Sequence, residues 1–251
     1  MSDTIVYTRS GHVARLRLNK PEVHNSLGSA DMQAMKVCLS EIAEDASVRV
    51  LIVTGTGEKT FCAGAALNEL SAGEISGDSF QEVTRLLAGL EIPTICAING
   101  NLFGAGVELA LSCDFRMGIE GSRMRVPAAV LGLCYPVDGI RRFVERLGPN
   151  VAKRLLIAAE QFDAAEMLSI GFLDYLVPAD QLVEKSEAMA QQITELAPLA
   201  VRAMKKIVET TSELSISAEA EQLSKQCLAS EDLKEGFTAQ REKRQPVFVG
   251  R

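Results

Sequence analysis

Asn99-Gly100-Asn101-Leu102-Phe103-Gly104-Ala105-Gly106-Val107-Glu108-Leu109 follows a short apolar run, Pro93 to Ile98 (PTICAI), and leads into more apolar sequence. A short, continuously apolar run is the pattern of a strand buried on both faces. The Gly/Ala-rich turn behind it reads as the entry to a helix. A similar place lies upstream: Val50 to Val53 forms another short buried strand, with Arg49 at its entry. It is followed by the turn Phe61-Cys62-Ala63-Gly64-Ala65-Ala66-Leu67. A strand, a turn of small residues and a helix, met twice, predict an α/β layer architecture.

Working outward, Ile5–Arg9 and His12–Leu18 flank Ser10-Gly11 and read as a hairpin, with alternating Ala14, Leu16 and Leu18. Met32, Met35, Leu39 and Ile42 repeat at helical spacing, so a helix is expected from about Ser29 to Ala43, capped by Ser29 or Asp31. Residues 71–79 are polar and rich in Gly and Ser, and read as a mobile loop. Phe80, Val83, Leu87 and Leu90 form one helical stripe. Beyond residue 139 the pattern is almost wholly helical, with segments near 139–147, 150–159, 163–170, 181–196, 198–212, 217–230 and 232–242. This predicts an α/β core over 1–196 and a helical module over 197–251, divided at Ala197-Pro198.

The chain has 251 residues and a formal charge of −7, with 47% hydrophobic residues, which suits a folded globular protein. At this length about 70% of the extended chain's surface can be buried, enough for a core without disulfides or structural metal. The acidic balance argues against a general binder of nucleic acid or anionic membrane, which needs clustered cations. Six scattered cysteines (Cys38, Cys62, Cys96, Cys113, Cys134, Cys227) show no paired spacing and read as buried thiols of a reducing compartment. No metal site is expected. The first residues lack a signal-peptide pattern and no apolar run approaches a membrane span, so a cytoplasmic protein is expected.

Glycine permits a sharp backbone path, and small residues let a ligand approach the main chain. Backbone N–H groups at a helix start lack intrahelical partners. Two such turns brought together could aim two N–H groups at one carbonyl oxygen and stabilise negative charge developing there. Close packing alone would also account for either turn. Leu109 stands where a dinucleotide-binding GxGxxG would need its last glycine, and neither a GKS/GKT nor a GxSxG sequence occurs.

The blocks FCAGAAL, INGNLFGAGVELALSCD and EGFTAQREKRQPVFVGR, with the opening LRLNKPEVHNSL, resemble the crotonase (enoyl-CoA hydratase/isomerase) superfamily in order and spacing over the whole chain. The resemblance implies a spiral of stacked β-sheets flanked by helices, a helical C-terminal trimerisation region, and homotrimers that often pair into hexamers. It implies a coenzyme A thioester as substrate, with no permanently bound cofactor. The oxyanion-hole amides would be those of Ala65 and Ala105, the latter standing where many members have glycine. Lys20, Val23, His24, Ala63, Ala66 and Leu67 would contact the acyl-CoA, and Lys243 would meet its phosphates, reaching a neighbouring subunit. Ala66, where Asp is common, and Glu22, where some members carry Lys, depart from the pattern.

Glu108 lies within an otherwise apolar segment (VELALSC), where a carboxylate is costly unless paired or functional. It matches the first of the two glutamates of crotonase-type hydratases. The block that should carry the second is Arg125-Val126-Pro127-Ala128-Ala129-Val130-Leu131-Gly132, with Ala128 in the glutamate's place. Two carboxylates conventionally share the work of adding water across an enoyl double bond. Replacement groups are sought in Asp138 and Tyr135; Asp138 could instead cap a helix starting near Gly139, and Tyr135 could simply pack. Cys134 reads as a buried thiol and His12 as a solvated strand residue. The resulting expectation is an enzyme that stabilises a thioester enolate with Glu108 as acid/base. A thioester hydrolase, a decarboxylase or a non-catalytic acyl-CoA- or RNA-binding homologue on the same scaffold are the alternatives.

Overall fold

A computed structural model describes residues 3–75, 77–210, 222, 226 and 230–251. The hairpin is present as β1 (Ile5–Ser10) and β2 (Val13–Leu18), paired antiparallel. Helix α1 (Ser29–Glu44) follows, and its N-cap is Gly28 rather than Ser29 or Asp31. Asp31 instead sits one turn inside and accepts the Gly28 amide at 2.8 Å, satisfying a helix-start donor from within.

From here the chain alternates between two sheets. Each circuit contributes one strand to the first sheet and one three-residue strand to the second. The pairs are β3 (Val50–Gly55) with β4 (Thr60–Cys62), β5 (Thr94–Ile98) with β6 (Asn101–Phe103), and β7 (Phe115–Ile119) with β8 (Arg123–Arg125). A last circuit adds β9 (Gln161–Asp163) and β10 (Tyr175–Val177). The sheet orders are β1-β2-β3-β5-β7-β10 and β4-β6-β8-β9. Pairing is parallel from β2 through β10 in the first sheet, and β8–β9 is antiparallel in the second. The result is a spiral of β-sheets with helices on both sides.

The apolar strands have the two-sided burial their sequence demands. Leu51 and Val53 of β3 enter the main core with Met35, Leu39 and Phe61, whereas Val50 and Ile52 point the other way, into a smaller core with Leu182 and Ala190. Those last two belong to α7 (Leu182–Thr194). Successive strand residues face opposite sides, so a helix on each face requires an unbroken apolar run.

Between the strands lie α2 (Leu67–Ala72), α3 (Gly77–Ala88), α4 (Ala105–Leu111), α5 (Val137–Leu156) and α6 (Ala164–Ser169). The expected loop over 71–79 is thus occupied at its two ends by α2 and α3. The two helices expected over 139–159 are both present within the α5 span, separated where Gly148 (φ 75°, ψ 161°) leaves helical backbone ahead of Pro149. Past α7, the described C-terminal helices are α8 (Pro198–Thr210) and α9 (Glu231–Glu242). The helix expected near 217–230, with Cys227, lies almost wholly outside the described residues.

Lys205 of α8 donates to Asp114 at 2.7 Å and to the Ile92 carbonyl at 2.9 Å, tying this helix to the β-sheet core. Cys62, Cys96 and Cys113 are buried as expected, but Cys38 is half-buried and Cys134 is exposed, because Cys134 stands on an open stretch before α5. No described helix is long and apolar enough to cross a membrane.

Candidate active site

The two small-residue turns are packed against each other. Gly64 has φ +92°, and a Cβ there would lie 2.8 Å from the Phe103 carbonyl oxygen and 3.2 Å from the Ala105 nitrogen. On the second turn, a Cβ on Gly106 would lie 2.6 Å from the Cys62 carbonyl oxygen. A side chain at either position would force the turns apart. The first turn is held from its other side by the block around His24 and Asn25. Ala63 N–H donates to the His24 carbonyl, Leu27 N–H to the Gly64 carbonyl and Ala66 N–H to the Leu27 carbonyl, at 2.8–3.0 Å. His24 and Asn25 both have positive φ, a strained backbone for residues with side chains. Asn25 stabilises it by accepting the Lys20 amide and donating to the Thr56 and Thr60 carbonyls.

Where the turns meet there is a cavity of about 240 Å³, lined by Ala63, Ala65, Leu67, Ala105, Glu108, Ala128 and Tyr135 together with apolar side chains. Neither the Ala65 nor the Ala105 amide donates a backbone hydrogen bond among the described residues. Two amides without partners therefore border one cavity with a carboxyl group.

Glu108, on α4, is fully buried. Gln81 Nε2 on α3 donates to both its oxygens, at 3.0 and 3.1 Å, and Thr84 Oγ1 lies 3.4 Å from Oε1. From α5, Arg142 Nη1 donates to Oε1 at 2.9 Å. Burial pushes the Glu108 carboxyl above its ordinary value, and the Arg142 charge and the hydrogen bonds oppose that rise without cancelling it.

The Tyr135 hydroxyl is buried nearby and closes no hydrogen bond. Its ring packs edge-on against Phe143, with centroids 5.6 Å apart. Burial and the Glu108 charge both push the phenol well above its ordinary value, so it is a neutral donor. Gly139 lies between the two groups: a Cβ there would be 2.6 Å from Tyr135 Cε1 and 2.9 Å from Glu108 Oε2.

Tyr135 thus stands beside Glu108, and Asp138 does not. Asp138 occupies the first turn of α5, where it faces Arg141 at 3.8 Å with about half its side chain exposed. It does not line the cavity, and it caps nothing, because α5 begins earlier, after Pro136.

Of the expected acyl-CoA contacts, Ala63 and Leu67 line the cavity, whereas Val23, His24 and Ala66 do not, although the His24 carbonyl accepts the Ala63 amide of the first turn. His24 Nδ1 lies 3.0 Å from Thr60 Oγ1. Lys20 is paired with the buried Asp31. Lys243 is exposed at the end of α9 and does not line its own chain's cavity. Among the described residues, no group of three His, Cys, Asp or Glu side chains could hold a metal ion.

Gln81, Thr84 and Arg142 were not singled out in the sequence. The available signal was that Thr84 shares the buried face of the Phe80–Leu87 stripe, at helical spacing from Phe80, with Gln81 next to it. A polar pair on an inner face calls for a buried polar partner.

Spiral sheets, twin turns and a buried glutamate define an acyl-CoA enzyme of the crotonase type. Residues 8–251 match the family model described as enoyl-CoA hydratase/isomerase, and the chain belongs to that family. It is 33% identical over 258 residues to a crotonyl-CoA hydratase of Syntrophomonas wolfei, covering 99% of each chain. It is 35% identical over 264 residues to a carnitinyl-CoA dehydratase of Proteus mirabilis, covering 100% of each. Among solved structures, an enoyl-CoA hydratase from Bacillus anthracis superposes with a TM-score of 0.94 at 30% identity, over 99% of this chain and 100% of that one.

Proposed function

We propose that this enzyme forms a thioester enolate and carries out a proton shift with one carboxylate, rather than efficient addition of water. The acyl oxygen would be held by the Ala65 and Ala105 amides while Glu108 removes a proton. For a 3-enoyl-CoA, Glu108 takes a proton from the α-carbon and the electron pair delocalises onto the thioester oxygen as a dienolate. Glu108, whose carboxyl proton exchanges with solvent between the two steps, then delivers a proton at the γ-carbon to give the 2-enoyl isomer. No atom is gained or lost. Tyr135, a neutral donor beside Glu108, would steady the charge as it changes hands.

The observation that carries this reading is that two unpartnered amides and one buried carboxyl border a single cavity. Against hydration stands Ala128, 7% exposed on the cavity wall where crotonase-type hydratases have their second glutamate. For the coenzyme A phosphates, the free cation would be Lys243 of a neighbouring copy in a trimer or hexamer.

Incubation with a panel of acyl-CoAs, read by mass spectrometry, tests the proposal. An isobaric product is expected, and Glu108→Gln should abolish it while acyl-CoA still binds. Unchanged turnover in that variant, or hydrated product as the main outcome, would overturn it.

A further inference from the structure

The Glu108 carboxylate is held unevenly. Oε1 faces Arg142 at 2.9 Å, Gln81 at 3.0 Å and Thr84 at 3.4 Å, whereas the one hydrogen bond Oε2 closes among the described residues is to the shared Gln81 amide, at 3.1 Å, with the Tyr135 hydroxyl near the carboxylate but short of hydrogen-bond geometry. Oε2 instead looks toward the bare backbone of Gly139, and the Tyr135 ring borders the same spot. An oxygen with three donors has little lone-pair capacity left, and one that shares a single donor keeps most of its own.

We propose that Arg142 and Gln81 are positioning residues that anchor Oε1 and hold the resting carboxyl ionised, leaving Oε2 as the oxygen that takes and delivers protons. The inference rests on the function proposed above for Glu108 and adds to it the resting state of the base and the division of labour between its oxygens. A buried carboxyl standing alone would rest protonated and could not act as a base. Arg142 stands where it corrects this, with its side chain 13% exposed and its guanidinium on the carboxylate. The other groups around the carboxyl are uncharged: Gln81 and Thr84 from α3, the Tyr135 phenol ahead of α5, and the buried Cys62 thiol of β4 behind Tyr135. Arg142 itself is influenced by Arg141, Glu145 and Arg146 of its own helix, whose charges oppose one another.

The test is the pH profile of solvent-deuterium uptake into 3-butenoyl-CoA in heavy water. With Arg142→Gln, the acidic limb should move up by about one pH unit or more, as expected on removing an opposite charge within hydrogen-bond reach. Its kcat should fall about 10- to 100-fold, the range for a mispositioned proton-transfer group, with KM changed far less. Arg142→Lys should restore the limb and only part of kcat, since a point charge replaces a planar fork. Where Arg142→Gln does not fold, Gln81→Leu takes its place, because it removes hydrogen bonds without changing charge and should shift the limb in the same direction. Lost kcat with an unmoved acidic limb would reduce Arg142 and Gln81 to structural supports and overturn the inference. Glu108→Gln, run alongside, separates the two readings: deuterium uptake surviving in that variant sinks the proposed function itself.

Discussion

A methyl group on Gly64 would sit 3.2 Å from the backbone nitrogen of Ala105, so the two turns approach as closely as backbone allows. Ala105 is also the first residue of α4, where the amide has no intrahelical partner and where proline is readily accepted. Ala105→Pro therefore removes one N–H from the cavity wall with little cost to the helix. Turnover is expected to fall about 10²- to 10³-fold, the range for loss of one oxyanion donor, with a lowered melting temperature because the proline ring carbon on this nitrogen enters the tight gap beside Gly64. Ala105→Gly keeps the amide and should stay close to the parent rate. Equal activity of the proline and glycine variants would show that this amide contributes nothing to the reaction.

Ala128 offers a gain-of-function test. It shares a cavity with Glu108, and a glutamate there would supply the second carboxylate that water addition conventionally uses. Ala128→Glu is expected to add a product heavier by one water from crotonyl-CoA, at some loss of thermal stability because an ionisable group enters an apolar wall. Mass spectrometry distinguishes the hydrated from the isobaric product. If no hydrated product forms although the variant folds and binds, the absence of a glutamate at this position does not account for the chemistry.

The features legible in the sequence were those with a pattern long enough to repeat. Val50 to Val53 and Pro93 to Ile98 read as buried strands because apolar residues face both cores. The three-residue strands β4, β6, β8, β9 and β10 were not legible, since an alternation of period two cannot be recognised over three positions. Glu108 was visible because a carboxylate stands out in an apolar run. Arg142 was hidden, because an arginine on an amphipathic helix has the same surroundings in sequence whether it faces water or a buried carboxylate. Asp138 and Tyr135 looked alike as candidates three residues apart. The start of α5 at Val137 separates them, placing Tyr135 against Glu108 and turning Asp138 toward Arg141.

The C-terminal arm carries a pH-dependent clasp. Arg244 grips both oxygens of Glu235, at 2.6 and 2.9 Å, and the Val247 amide donates to Oε1 at 2.8 Å. These partners, Arg244 foremost, hold the Glu235 carboxyl at about 2, below its ordinary 4.5. A carboxyl that is a stronger acid in the fold than in the free chain stabilises the fold fully above its free value and loses that contribution as pH falls through the folded one. The clasp should therefore hold above about pH 4.5 and loosen progressively toward about pH 2. Protection of the Val247 amide against hydrogen exchange, corrected for intrinsic rate, should decline across that window. Glu235→Gln, which cannot ionise, should show low protection throughout and no such decline. The same acid window matters for substrate binding if Lys243, next to Arg244 in sequence, meets a neighbouring copy's coenzyme A. Acyl-CoA affinity would then fall along with Val247 protection in the parent but not in step with pH in Glu235→Gln. Protection of Val247 that stays constant down to pH 2 would show that the arm is held by other contacts, such as the Asp232 bonds to the amides of Val249 and Gly250.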